Sequence, residues 1–248
     1  MSVTIDLSPR VAVVTGGGSG LGKEAAPIVV EAGCKVYVVG RRADTIATAA
    51  AQVGAVPIAA DISNPDAVSA LIGGVEAENG RLDILVNSAG VATRGSAYDV
   101  PVADLDYMLS VNVSGLFACC QAAGRIMRRA GYGKIVNVAS IASEIGTPTI
   151  ASYAATKGAV RQLTKSLAVE WACDGIRVNA ILPGWFRTEM TEASFQNPAW
   201  VEKIMRRIPL RREGVPADIE GTFLFLASPM SDYLTGAMIP VDGGALAS

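Results

Sequence analysis

The sequence predicts a three-layer α/β domain: a doubly wound parallel sheet of about seven strands with helices on both faces, spanning residues 1–248 as a single domain. Three observations predict it. Short, β-branched apolar runs alternate with Ala-rich segments of helical periodicity from one end of the chain to the other. A glycine-rich turn joins the first run to the first helical segment. No linker, low-complexity stretch or charge run divides the chain.

The predicted strands are Val11–Thr15, Lys35–Val39, Ala55–Ala60, Leu82–Val86, Lys134–Val138, Arg177–Leu182 and Met238–Val241. Such runs read as strands buried on both faces, which a parallel sheet requires. The helices between them are Gly20–Glu31, Ala43–Gln52, Pro65–Glu78, Val102–Arg129 and Ser152–Cys173, with one more before the last strand. Pro27 lies inside the first helix and is expected to kink it. The alternation breaks at residues 185–212, rich in Trp, Phe, Pro and Arg, which reads as a lid insertion over a site.

Composition excludes several functions. Twenty-one basic against 23 acidic residues give a net charge of −2, which argues against a nucleic-acid partner. The longest apolar runs, such as Phe223 to Ala227, are too short to span a bilayer. MSVTIDLSPR lacks the basic and apolar regions of a signal peptide. Cys34, Cys119, Cys120 and Cys173 have no ligand-like spacing and read as reduced, buried thiols, consistent with a cytoplasmic protein. There is no histidine, so no histidine triad or histidine–metal site can exist, and no metal is expected. Acid–base chemistry must run on Tyr, Lys, Cys, Asp or Glu.

Val11–Thr15 runs into Gly16-Gly17-Gly18-Ser19-Gly20-Leu21-Gly22, with the spacing Gly16-x-x-x-Gly20-x-Gly22. Glycines there allow a tight turn and close approach to a pyrophosphate, and the helix behind offers free N–H groups. Opening the first strand–helix unit, the turn points to a dinucleotide. An NAD site would place an acid at the end of the second strand. Here Gly40 is followed by Arg41 and Arg42, cations suited to a 2′-phosphate. NADP(H) is therefore the preferred cofactor, with NAD(H) possible. Asp61 would sit at the adenine edge, and Asn87-Ser88-Ala89-Gly90 forms a further turn at the ligand-binding edge.

Tyr153 and Lys157, four apart on one helix, share a face. A nearby ammonium is expected to lower the tyrosine pKa toward neutrality. Ser140 follows the strand Lys134–Val138, and Asn112 interrupts an otherwise apolar helix.

With these residues in place, the chain resembles the short-chain dehydrogenase/reductase family, in its single-domain branch, from about Pro9 to Gly244. The resemblance is carried by TGGGSGLG (15–22), Asp61, NSAG (87–90), Asn112, Ser140, YAATK (153–157), VNAILPG (178–184) with Thr188, and LTG…VDGG (234–244). It implies a Rossmann-type fold and a catalytic tetrad. Tyr153 exchanges the hydroxyl proton, Ser140 orients the carbonyl, Lys157 also binds the nicotinamide ribose, and Asn112 holds a water. Gly16, Ser19, Gly20, Leu21, Gly22, Arg41, Arg42, Asp61, Ile62, Asn87, Ala89, Gly90, Pro183, Gly184 and Thr188 would bind the cofactor with Tyr153 and Lys157. The expected activity is hydride transfer between a carbonyl and a secondary alcohol; a non-catalytic sensor on the same fold is the alternative, disfavoured because all four tetrad residues are kept. Ile141–Thr149, Val91–Arg94 and the 185–212 insertion should form the substrate pocket. The substrate stays open among sugar acids or polyols, 3-oxoacyl thioesters and small ketones, with gluconate 5-dehydrogenases and 3-oxoacyl-ACP reductases as similar branches. Arg94, Arg206, Arg207, Arg211 and Arg212 could receive an anionic substrate, with a solvated or inter-subunit charged face as the favoured reading. Apolar helices in excess of what one sheet face covers imply an interface. The resemblance implies that they pair across a two-fold axis and that the last strand with the tail Gly243–Ser248 makes a second contact, hence a homotetramer, with a dimer as fallback.

Overall fold

The computed structural model describes residues 5–248. The beginning of the N-terminal segment read above for a leader lies outside them. The sheet has the order β3-β2-β1-β4-β5-β6-β7, every pairing parallel. The strands are β1 (Val11–Thr15), β2 (Lys35–Gly40), β3 (Val56–Ala59), β4 (Ile84–Asn87), β5 (Gly133–Val138), β6 (Ile176–Pro183) and β7 (Met238–Val241). The order reverses between β1 and β4, so the carboxyl ends of these two strands open a crevice, the position where such sheets bind ligands.

One face of the sheet is covered by α1 (Gly20–Glu31), α2 (Ala43–Val53) and α9 (Ala217–Ala227), through residues such as Val29, Ile46 and Phe223. The other carries α3 (Pro65–Asn79), α5 (Leu116–Ala130) and α6 (Ala151–Trp171), through Ile72, Met127 and Leu167. The inner strands β1, β4 and β5 are buried along their whole length. β3 is not: its burial alternates, because as an edge strand it packs one face only. α1 continues through Pro27 to Glu31, because a proline whose missing N–H costs one bond can be carried by a helix packed on the sheet.

The predicted helix Val102–Arg129 is divided. α4 (Val102–Leu109) and α5 are joined by a π-helical turn, Ser110–Gly115, with Asn112 at its middle. Apolar periodicity cannot show this, since one inserted residue leaves the flanking patterns intact; such turns often mark functional positions. The 185–212 insertion folds into two short helices, α7 (Glu192–Phe195) and α8 (Pro198–Met205), and lies over the carboxyl end of β6. Cys34, Cys119 and Cys120 are buried free thiols; burial pushes the first two up to about 12. Cys173, expected to be buried, is exposed in the turn after α6. No described helix is long and apolar enough to cross a membrane.

Candidate active site

The turn after β1 is tight because two of its glycines admit no side chain. Gly16 has φ +71°, and a Cβ on it would stand 2.7 Å from Ala89 Cα. A Cβ on Gly22 would stand 2.5 Å from the Gly16 carbonyl oxygen, so this glycine lets α1 close on the turn rather than lining the crevice. Above the turn run two connected pockets. The first is lined by Gly16, Ser19, Arg41, Arg42, Asp61, Ile62, Ala89 and Gly90, among others. The second continues past Ser19, Gly20 and Leu21 to Tyr153, Lys157, Pro183, Gly184 and Thr188. This is the length and shape of site an extended dinucleotide needs, with the open N-terminus of α1 at its centre.

The far end is cationic. Arg41 Nη1 donates to the Tyr107 hydroxyl at 2.6 Å, and Arg42 Nη2 lies 3.4 Å from Glu189 Oε2 on the insertion. Burial alone would raise the pKa of Asp61, but hydrogen bonds from the Ser63 amide and hydroxyl, with the Arg41 charge, hold it below the usual carboxylate value. It is therefore an anion fixed at the Arg41–Arg42 end of the crevice.

Asn87 is not part of the crevice wall. Its side chain is buried, Nδ2 donating to Asn137 Oδ1 at 2.9 Å, and Asn137 Nδ2 in turn donates to Thr164 Oγ1 at 2.9 Å. Side chains alternate along a strand, and the last residue of β4 points toward Cys120 of α5, not into the crevice.

At the inner end, Lys157 is buried and its Nζ donates to the Val138 carbonyl at 2.7 Å, which ties α6 to the end of β5. Burial pulls its pKa down to about 8. The pKa of Tyr153 is raised, chiefly by burial, with the Ser140 hydroxyl and the Arg94 charge pulling the other way. This corrects the expected lowering by Lys157. The Nζ sits 5.8 Å from the centre of the tyrosine ring and spends a hydrogen bond on Val138, so desolvation outweighs its field. In the protein alone Tyr153 is held as the neutral phenol.

Asn112 lines neither pocket, and both N–H groups of its side chain are committed. Oδ1 accepts from Val91 N at 2.8 Å, while Nδ2 donates to the Val91 carbonyl at 2.8 Å and to Thr156 Oγ1 at 3.0 Å. Thr156 donates onward to the Tyr153 carbonyl at 2.8 Å. Asn112 thus clamps the segment following Gly90 to α6 at the turn that carries Tyr153. A Cβ on Gly90 would come within 3.3 Å of its Oδ1, so small residues in NSAG leave room for this clamp. Thr156 was visible only as an unremarked letter of YAATK; its partner lies 44 residues away.

The predicted substrate pocket is assembled as a cavity of 310 Å³ against Ser140 and Tyr153. Ala92, Arg94, Thr147–Ile150, Trp185, Trp200, Lys203 and Arg207 line it. The arginines separate into two groups. Arg206 pairs with Glu202 and Arg212 with Asp218, and Arg211 donates to the Met205 carbonyl; these three form the solvated face expected of all five. Arg94 and Arg207 do not. Their guanidinium carbons lie 5.9 Å from the Trp200 ring centre and 5.3 Å from that of Trp185, so both stand inside the cavity wall.

A family model described as "Enoyl-(Acyl carrier protein) reductase" matches residues 16–245. The chain belongs to the short-chain dehydrogenase/reductase family. It is accordingly an oxidoreductase that moves a hydride between a carbonyl and a secondary alcohol. It is 41% identical over 246 residues to a 3alpha-hydroxysteroid dehydrogenase of Mediterraneibacter gnavus, covering 96% of this chain and 98% of that one. It is 41% identical over 243 residues to a galactitol 2-dehydrogenase (L-tagatose-forming) of Cereibacter sphaeroides, covering 96% and 95%. Among solved structures, a gluconate 5-dehydrogenase from Burkholderia cenocepacia J2315 in complex with NADP and tartrate is similar with a TM-score of 0.95 and 37% identity, over 99% of this chain and 98% of that one.

The buried lysine has a thermodynamic consequence. The folded state holds Lys157 at about 8 against an ordinary 10.5, so between these values the unfolded chain binds more protons and stability rises with pH. Relative to Lys157→Met, the wild type should gain on the order of 2 kcal/mol between pH 7 and pH 10. Urea unfolding of both proteins at the two pH values measures this; a constant difference would show that Lys157 is not desolvated.

Proposed function

We propose that this short-chain dehydrogenase/reductase uses NADP(H) to interconvert a keto and a secondary-alcohol group on a small polyhydroxy carboxylate, a sugar acid. One observation carries the reading: Ser140 and Tyr153 stand at the junction of the dinucleotide crevice and the 310 Å³ cavity, belonging to the lining of both. A group held there meets a hydroxyl donor and a phenol on one side and the crevice on the other. The nicotinamide, when bound, supplies or accepts the hydride.

The chain's residues do the rest. Tyr153, neutral in the free protein, donates its proton to the developing alkoxide in reduction and takes it back in oxidation. Ser140 Oγ accepts from the Ala142 amide at 3.1 Å, and its own O–H is left to donate to a substrate oxygen. Lys157 holds a proton close to neutrality, next to the Tyr153 ring, and would hold the coenzyme's ribose when it is bound. Asn112 and Thr156 set the position of Tyr153. Arg41 and Arg42 bind the 2′-phosphate; two gluconate 5-dehydrogenase structures and a 2-deoxy-D-gluconate 3-dehydrogenase structure similar to this chain hold NADP.

Arg94, Lys203 and Arg207 favour the carboxylate over neutral substrates such as galactitol or a steroid. Arg94→Gln and Arg207→Gln should each raise KM for a sugar acid by about 10-fold or more, the loss of one charge-assisted hydrogen bond, with a smaller change for galactitol. Equal effects on both substrates would remove the carboxylate from the reading. We further infer a cytoplasmic homotetramer. Phe117 on α5 and Val169 on α6 stay exposed, Val169 at 81%, on the helix faces turned away from the sheet. Sedimentation equilibrium should give four times 25.6 kDa; a single-chain mass would show that these faces meet only solvent.

A further inference from the structure

We propose that Glu189 tunes recognition of the coenzyme's 2′-phosphate by holding Arg42 across the mouth of the crevice. This rests on the reading of Arg42 as a 2′-phosphate ligand and adds a residue from the opposite wall. Arg42 immediately precedes α2 and lines the adenosine end, whereas Glu189 belongs to the 185–212 insertion and lines the inner end. The two residues are 147 positions apart in sequence, yet Nη2 and Oε2 stand 3.4 Å apart, so the pair bridges the opening between the loop after β2 and the insertion.

The two arginines therefore stand differently. Arg41 is held by a neutral acceptor, the Tyr107 hydroxyl, at 2.6 Å, and a phosphate can approach it without displacing an anion. Arg42 already faces an anion through Nη2, and a phosphate that takes this donor displaces Glu189. The free energy of its pair with Glu189 is subtracted from the affinity for a 2′-phosphate. A coenzyme carrying a 2′-hydroxyl has no anion to offer and leaves the bridge in place. Glu189 thus lowers discrimination in favour of the phosphorylated coenzyme and couples the insertion to the identity of the adenosine end. By reciprocity, a 2′-phosphate on Arg42 releases the insertion from the second-strand loop. Both side chains are largely exposed, at 66% and 70%, which limits the effect to a few-fold.

The test uses fragments that fill only the adenosine end. Wild type, Glu189→Gln, Arg42→Gln and the double variant are titrated calorimetrically with 2′,5′-ADP and with 5′-AMP. Glu189→Gln should tighten 2′,5′-ADP by about 2–5-fold and leave 5′-AMP unchanged. In the Arg42→Gln background the same substitution should change neither. An unchanged affinity for 2′,5′-ADP in Glu189→Gln overturns the proposal. So does an equal tightening of 5′-AMP, or an effect that persists without Arg42, since each would mean a general loss of negative field. If Arg42→Gln itself leaves 2′,5′-ADP binding at the wild-type value, the reading of Arg42 as a phosphate ligand fails instead, and the proposal falls with it.

Discussion

Tyr153→Phe should lower kcat by at least roughly 10²-fold while coenzyme binding is retained. The substitution keeps the ring, and so the packing against Ser140 and the approach of Lys157 Nζ, and removes one oxygen. No histidine is present anywhere in the chain to replace it. The direction of the Tyr153 shift adds a second readout. A phenol held above its ordinary pKa is protonated at neutral pH, ready to donate and unable to accept. Carbonyl reduction should be fast at pH 6–7 and fall on the alkaline side, where Tyr153 and Lys157 lose their protons; alcohol oxidation should rise with pH over the same range. Steady-state kcat measured in both directions checks this. Turnover near wild type in Tyr153→Phe would take Tyr153 out of the mechanism, and parallel pH profiles in the two directions would take the proton donor elsewhere.

The second large effect is on coenzyme choice. Replacing Gly40 with Asp and Arg41 with Gln should reverse the preference from NADP(H) to NAD(H). Loss of one charge-assisted pair with the 2′-phosphate costs about 10–100-fold in affinity, and the new carboxylate repels the phosphate while accepting from a 2′-hydroxyl. The site can take the side chain, since the Cβ at position 40 would meet Ile46 Cδ1 at 2.7 Å, the movable tip of a side chain rather than backbone. Arg42 stays in the variant, so the reversal tests Arg41 and position 40 alone. Dissociation constants for NADPH and NADH, measured by fluorescence quenching, decide it. Tighter binding of NADH than of NADPH by the unmutated protein would mean that the second-strand arginines do not read a phosphate.

What the sequence by itself determined about this protein rests on short-range regularities. Apolar runs of strand length and helical periodicity specify the seven strands and the helices covering them, because burial on both faces leaves a parallel strand no polar alternative. The turn at residues 16–22 is legible because positive φ at Gly16, and close backbone approach at Gly16 and Gly22, admit one residue type. Tyr153 and Lys157 are legible because four residues is one helical turn. The tertiary structure alone decided whatever depends on partners distant in the chain. It brought Arg94 and Arg207 to the cavity wall beside Trp200 and Trp185, while Arg206, Arg211 and Arg212 stay on partners only four to six residues away. It turned Asn87 into the layer below the sheet, committed Asn112 to Val91 and Thr156 through a π-helical turn, and brought Glu189 to Arg42. It also reversed the expected shift at Tyr153, because desolvation is set by everything packed around a group, while a charge four residues away is only one contribution to it.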